Sequence, residues 1–88
     1  MNGLERLAKR LLGLGENESV AQEKIDEVKC AIEKLSPRQK TIIQKSYGID
    51  QDRCYTSLEI AAELAVTSTR VEDIAAKAME LLQQELRK

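Results

Sequence analysis

Side chains able to do acid–base, nucleophilic or metal chemistry are few and scattered in this chain. It contains no histidine, and its two cysteines, Cys30 and Cys54, stand far apart without CxxC spacing. A structural zinc site needs four such ligands, whereas isolated thiols stay reduced in the cytoplasm. There is no glycine-rich phosphate loop, and the acidic residues fall at helical spacings beside lysines, where salt bridges explain them. We therefore expect no enzyme, no metal, no cofactor and no small-molecule substrate.

Charge is unevenly distributed, although the formal net charge is only -1. Residues 16–35 hold six acids against three lysines, and residues 56–88 hold six acids against four cations. Residues 36–55 hold four cations against two acids. A face for nucleic acid is therefore expected from this third segment or from residues 1–15, which are also basic. No apolar run approaches the ~20 residues that span a bilayer, and no signal peptide is evident, so we expect a cytoplasmic protein without a membrane segment.

Helix start and stop signals position these residues. Asn2 begins a first amphipathic helix that ends at Gly13. Three capping boxes follow, in which a hydroxyl and a Glu or Gln three residues later satisfy free backbone N–H groups: Ser19 with Gln22, Ser36 with Gln39, and Thr56 with Glu59. A last helix is predicted over about 68–86, and residues 49–55 read as a loop. No segment alternates with period two, so the fold class is all-α, a small helical bundle.

Residues 57–74 have the pattern of a helix-turn-helix. Ala61 is small where two crossing helices approach each other, and Val66 supplies an apolar plug in the turn. Val71 and Ile74 then face back from the second helix. Taken alone, this pattern fits an ordinary helical hairpin equally well.

A wider pattern favours the helix-turn-helix. The blocks Leu35-Ser-Pro-Arg, Tyr47-Gly-Ile-Asp and Ala76-Lys-Ala-Met occur at spacings that resemble region four of the primary sigma factors, with no gap, over residues 35–83. We therefore divide the chain into an N-terminal helical extension, 1–34, containing one or two helices, and a sigma region four-like domain, 35–88. The resemblance implies transcription regulation at RNA polymerase and at the upstream (−35) promoter element.

The resemblance also implies site residues. Those implied to contact DNA are Arg38, Thr56 and Arg70 at phosphates, and Ser68, Thr69 and Asp73 at base edges. An apolar groove between the third helix and the helix-turn-helix is implied to hold the flap-tip helix of the polymerase beta subunit. We expect its lining to include Ile42, Ile43, Tyr47 and Leu58.

Departures from the family pattern leave the function open. Sigma factors usually carry arginine, arginine and glutamine where this chain has Ser68, Glu72 and Asp73, and acids near phosphates weaken DNA binding. We therefore expect DNA binding that polymerase assists; the alternative is a protein–protein interaction module, binding polymerase or a sigma factor, that has lost DNA binding. Nothing resembles the promoter-melting part of a sigma factor, so we expect half of a split factor or an accessory protein. The first helix could pack on its own domain, which is the default, dock on a partner, or self-associate.

Overall fold

The computed structural model describes residues 3–15 and 17–87, and their regular structure is entirely helical. The helices are α1 (Gly3–Leu12), α2 (Gln22–Glu33), α3 (Pro37–Tyr47), α4 (Ser57–Leu64) and α5 (Ser68–Leu86). The described ranges contain no strand, and α5, with 19 residues, is the longest helix in them. The predicted all-α class is therefore confirmed. No helix in these ranges is long and apolar enough to cross a bilayer.

Two of the three predicted capping boxes set the starts of α3 and α4. The Gln39 backbone N–H donates to Ser36 Oγ at 3.3 Å, and the Ser36 N–H donates to Gln39 Oε1 at 3.2 Å. Thr56 and Glu59 exchange the same pair of bonds at 3.2 and 3.0 Å. These bonds satisfy backbone donors that a helix start leaves without an intrahelical partner.

The remaining prediction, a capping box formed by Ser19 and Gln22, is wrong. The residue that precedes α2 is Ala21, which has extended backbone angles and no side-chain oxygen to cap the helix. Ser19 lies two residues too early to accept from the first turn. Glu23 instead places a negative charge in that turn, where the helix dipole favours it. The predicted start of α1 at Asn2 lies outside the described residues.

The core consists of two hydrophobic clusters. The larger unites α1, α2, α3 and α5 through buried residues, namely Leu7, Ala8, Val28, Ala31, Ile32, Leu35, Ile43, Ile49, Ala78 and Leu82. The smaller joins α3, α4 and α5 through Ile42, Ile60, Ala61 and Val71. The larger cluster takes residues from both sides of position 34, so the N-terminal helices share a core with α3 and the second half of α5. The division of the chain after residue 34 stays a prediction.

Helix α1 packs on its own domain, which was the default expectation. Leu7 and Ala8 have no exposed surface. A Cβ atom on Gly3 would lie 1.8 Å from the Tyr47 carbonyl oxygen, so the first turn of α1 approaches the end of α3 as closely as glycine permits. The Arg6 guanidinium donates to that same carbonyl at 3.4 Å and to Cys54 Sγ. This packing places Arg10 beside α3 and α5.

The turn between α4 and α5 breaks the helix where the sequence predicts. Ala65 adopts the left-handed conformation with φ 59°, and the Val66 N–H donates to the Ala61 carbonyl at 3.0 Å. Thr67 then caps α5 by accepting from the Arg70 N–H at 3.1 Å. Thr69 and Arg70, in the first turn of α5, are exposed to solvent.

Candidate nucleic-acid interface

The exposed first half of α5 carries the predicted base-reading residues. Thr69 and Asp73 are exposed, and Ser68 is half-buried. Residues four apart on a helix lie on the same face, so Thr69 and Asp73 share one face of α5. None of the three hydroxyl or carboxyl groups forms a hydrogen bond or ion pair within residues 3–15 and 17–87.

A depression between the start of α3 and the middle of α5 brings together three of the predicted contacts, Arg38, Arg70 and Asp73. We call it the cationic depression; its lining is Ser36, Arg38, Gln39, Arg70, Asp73, Ile74 and Lys77. Lys77 was not predicted from the sequence. It lies two turns beyond Arg70 on the same face of α5, and that spacing could have revealed it. The depression combines three cations, one acid and the N-terminus of α3, where anions are favoured.

Most cations of the basic segment 36–55 are paired with acids. In the basic segment 36–55, Lys40 pairs with Glu33 at 2.7 Å, Lys45 with Glu63 at 3.0 Å, and Arg53 with Glu59. By contrast, Arg38 and Arg70 form no ion pair with the described part of the chain. Lys77 has only a loose contact, 3.9 Å, with Glu80, and both side chains are exposed. Of the cations in segment 36–55, only Arg38 is therefore free of an ion pair with the described residues, and it lies with Arg70 and Lys77 in the cationic depression.

Thr56 lies at the start of α4, outside the cationic depression. Its oxygen accepts from Glu59, so its hydroxyl proton remains available to a phosphate. The neighbouring Arg53–Glu59 pair fixes this helix start: the Arg53 hydrogen bonds, with that from the Thr56 backbone, lower the pKa of Glu59 from 4.5 to about 2. Thr56 is thus a rigidly positioned donor.

The loop before α4 is held by its aromatic residue. The centroid of the Tyr55 ring lies 4.2 Å from the Arg53 guanidinium carbon and 5.0 Å from Lys45 Nζ. Its hydroxyl donates to Asp52 at 3.0 Å, and this hydrogen bond is the main reason that the pKa of Tyr55 is raised. Lys45 and Arg53, which the charge count alone makes candidates for DNA binding, therefore stabilise this loop instead.

A second depression has the position predicted for a partner helix. We call it the helix groove; it is lined by Arg10, Ile43, Ser46, Tyr47, Ser57, Val71, Glu72, Ala75, Ala76 and Met79. Of the four predicted partner-binding residues, the structure places Ile43 and Tyr47 in this groove. Ile42 is fully buried in the smaller cluster, and Leu58, which is 72% exposed, is not among the lining residues. Binding of a partner by any of the four stays a prediction.

The two acids in the first half of α5, Glu72 and Asp73, line different depressions. Asp73 lines the cationic depression, whereas Glu72 lines the helix groove. This follows from helix geometry, because successive residues lie about 100° apart around the axis. Only one of the two acids therefore stands among the cations of the predicted DNA surface.

The packing of α4 and α5 across a capped short turn, with an exposed and partly cationic second helix, defines a helix-turn-helix protein. The family model for sigma-70 region 4 matches residues 31–84, well over half of the chain. The chain therefore belongs to the sigma-70 region 4 family, as residues 35–83 predicted. Comparison with curated proteins and with solved structures gives no match.

Proposed function

We propose that this protein regulates transcription in the cytoplasm by acting together with RNA polymerase at −35-type promoter DNA. In this role α5 enters the major groove, Arg38, Thr56 and Arg70 contact phosphates, and Ser68, Thr69 and Asp73 face base edges. The helix groove receives the flap-tip helix of the polymerase beta subunit. The role requires no catalytic residue and no cofactor.

The observation that carries the proposal is the small number of unpaired cations around the reading helix. Family membership supports contact with DNA and polymerase. However, three of the four cations in residues 36–55 are neutralised by Glu33, Glu59 and Glu63. Protein–DNA affinity depends largely on cations that displace counterions from phosphates. Binding through Arg38, Arg70 and Lys77 alone is therefore weak, and polymerase must supply the remaining affinity.

The number of contacting cations predicts how strongly the DNA affinity depends on salt concentration. If Arg38, Arg70 and Lys77 each neutralise one phosphate, the plot of log K against log salt concentration has a slope of about -2.7; Thr56 is neutral and adds nothing to it. Affinity should therefore fall about 40-fold between 50 and 200 mM salt. Replacing one contacting cation should reduce the slope by about 0.9 and weaken binding to every DNA sequence.

The test is fluorescence anisotropy of a labelled promoter fragment at several low salt concentrations. We expect Arg70→Ala and Lys77→Ala each to weaken binding and flatten the slope. Lys24→Ala is the matched control, because Lys24 pairs with Glu27 on α2, away from the cationic depression. Curves for Arg70→Ala and Lys77→Ala that coincide with the control would remove the cationic depression from DNA binding.

A second candidate function is a protein–protein interaction module that binds polymerase or a sigma factor without reading DNA. The position of Glu72 favours it, because this acid faces the helix groove, where a protein helix would lie. A pull-down with core polymerase, using wild type and Tyr47→Glu, tests the groove, with circular dichroism to confirm that the variant is folded. Ile43 is unsuitable for this substitution because its side chain is fully buried. Polymerase capture combined with no DNA binding under any condition would support this second function over the first.

A further inference from the structure

The helix groove has a wall that the helix-turn-helix itself does not supply. Its floor and sides come from α3, α4 and α5, but Arg10 at one edge belongs to α1. Helix α1 is held there by the buried side chain of Leu7 and by the close approach of Gly3 to Tyr47. The N-terminal helix therefore completes the groove and brings a charge to its rim.

The lining of the groove suits an apolar helix. Ile43 and Val71 form a buried floor, while Ala75 and Ala76 are small and leave space above it. Met79 adds a flexible, polarizable side chain of the kind found at adaptable binding surfaces. An amphipathic helix binds such a groove by inserting apolar residues at positions i, i+3, i+4 and i+7.

Two polar groups stand together at the α1 edge without partners. Arg10 forms no ion pair, and the Tyr47 hydroxyl forms no hydrogen bond, with any residue of 3–15 and 17–87. Burial raises the pKa of Tyr47, against the opposing effect of Arg10 and Arg6, so the hydroxyl keeps its proton and can donate at neutral pH. Glu72, which also lines the groove, gives it a negative charge.

We propose that the helix groove selects a partner helix carrying a carboxylate at the edge of its apolar face, and that Arg10 and Tyr47 bind this carboxylate together. A guanidinium and a phenol hydroxyl both donate to carboxylate oxygens, and charge-assisted bonds of this kind are the strong ones. Glu72 repels an acid placed beside it, so the groove accepts a carboxylate only where Arg10 and Tyr47 can bind it. The inference rests on the proposed use of this groove for a polymerase helix and adds the chemistry by which that helix is recognised.

The experiment uses a phage-displayed library of helical peptides, with a fixed leucine stripe and randomised positions flanking it, selected against the full-length protein. Wild type should enrich Asp and Glu at one flanking position. Arg10→Glu should replace that preference by Lys and Arg. Lys29→Glu is the matched control, since it makes the same change in net charge on an exposed residue outside the groove, and it should select like wild type.

A synthetic pair of selected peptides then measures the effect. The Glu peptide should bind wild type about tenfold more tightly than its Gln counterpart. Tyr47→Phe should reduce that ratio, because the hydroxyl bonds a carboxylate more strongly than a neutral amide oxygen. Peptides selected without a charge preference, or with the same preference by Arg10→Glu, would overturn the inference and leave the groove as a binding site. Failure of wild type to select any helix would overturn both the inference and the groove's proposed contact with polymerase.

Discussion

Replacing Leu7 by alanine tests whether α1 is an integral part of the domain. The Leu7 side chain is 0% exposed and lies in the larger cluster with Val28, Ile43 and Leu82. Removing three buried carbon atoms costs about 2.4 kcal/mol of transfer free energy, and the cavity left behind raises the loss to about 3–4 kcal/mol. Leu58, 72% exposed at the start of α4, is the matched control. Its replacement by alanine should cost about 0.5 kcal/mol or less.

Urea denaturation followed by circular dichroism at the helical band measures both losses. With a denaturant slope of about 1 kcal/mol per molar urea for a small domain, the midpoint should fall by about 3–4 M for Leu7→Ala. For Leu58→Ala it should fall by about 0.5 M or less. Equal midpoints for the two variants would show that α1 contributes nothing to the core. Arg10 would then no longer be fixed at the helix groove, and the wall that we assign to α1 would be lost.

Three further predictions concern residues that stabilise helix packing or helix ends: Gly3, Ala65 and Glu59. Gly3→Ala, normally favourable inside a helix, should here destabilise by about 1–3 kcal/mol because its Cβ would overlap the Tyr47 carbonyl, and thermal unfolding shows the sign. Ala65→Gly should raise the free energy of unfolding by about 1 kcal/mol, since it relieves the left-handed conformation at φ 59°, and a lower urea midpoint would contradict this. The pKa of Glu59 is lowered to about 2, so its ionised form stabilises the fold above pH 4.5 and loses that effect as the pH falls towards 2. The gap in urea midpoint between wild type and Glu59→Gln should therefore close over this range, and a gap independent of pH would refute the role of the Arg53–Glu59 pair.

The helices were predictable because their ends are marked by local chemistry. Ser36 with Gln39 and Thr56 with Glu59 cap helices in the structure as their spacing predicts. The start of α2 was missed because Ser19 matches the capping pattern two residues too early, and only the backbone angles of Ala21 reveal the true boundary. A local pattern predicts that a helix starts nearby but does not select between competing starts.

The site was less predictable because it depends on contacts between distant residues. The resemblance to sigma region four implied Arg70 and Asp73 as site residues. The pairing of Lys45 with Glu63, by contrast, spans two helices and cannot be predicted from charge counts. Likewise, Ile42 and Ile43 are neighbours in sequence yet belong to different clusters, so only one of them reaches the helix groove. The packing of α1 placed Arg10 at that groove, and no motif indicated this position.

The measurement that tests the central claim most directly is the affinity for a labelled −35 promoter fragment with and without saturating core RNA polymerase. A parallel titration of polymerase lacking this protein provides the baseline. We expect weak, salt-sensitive binding by the protein alone and at least tenfold tighter binding in the presence of polymerase, a coupling free energy of about 1.4 kcal/mol. Arg70→Ala should reduce the affinity of the ternary complex. Equal affinity with and without polymerase, whether tight or negligible, would contradict polymerase-assisted DNA binding.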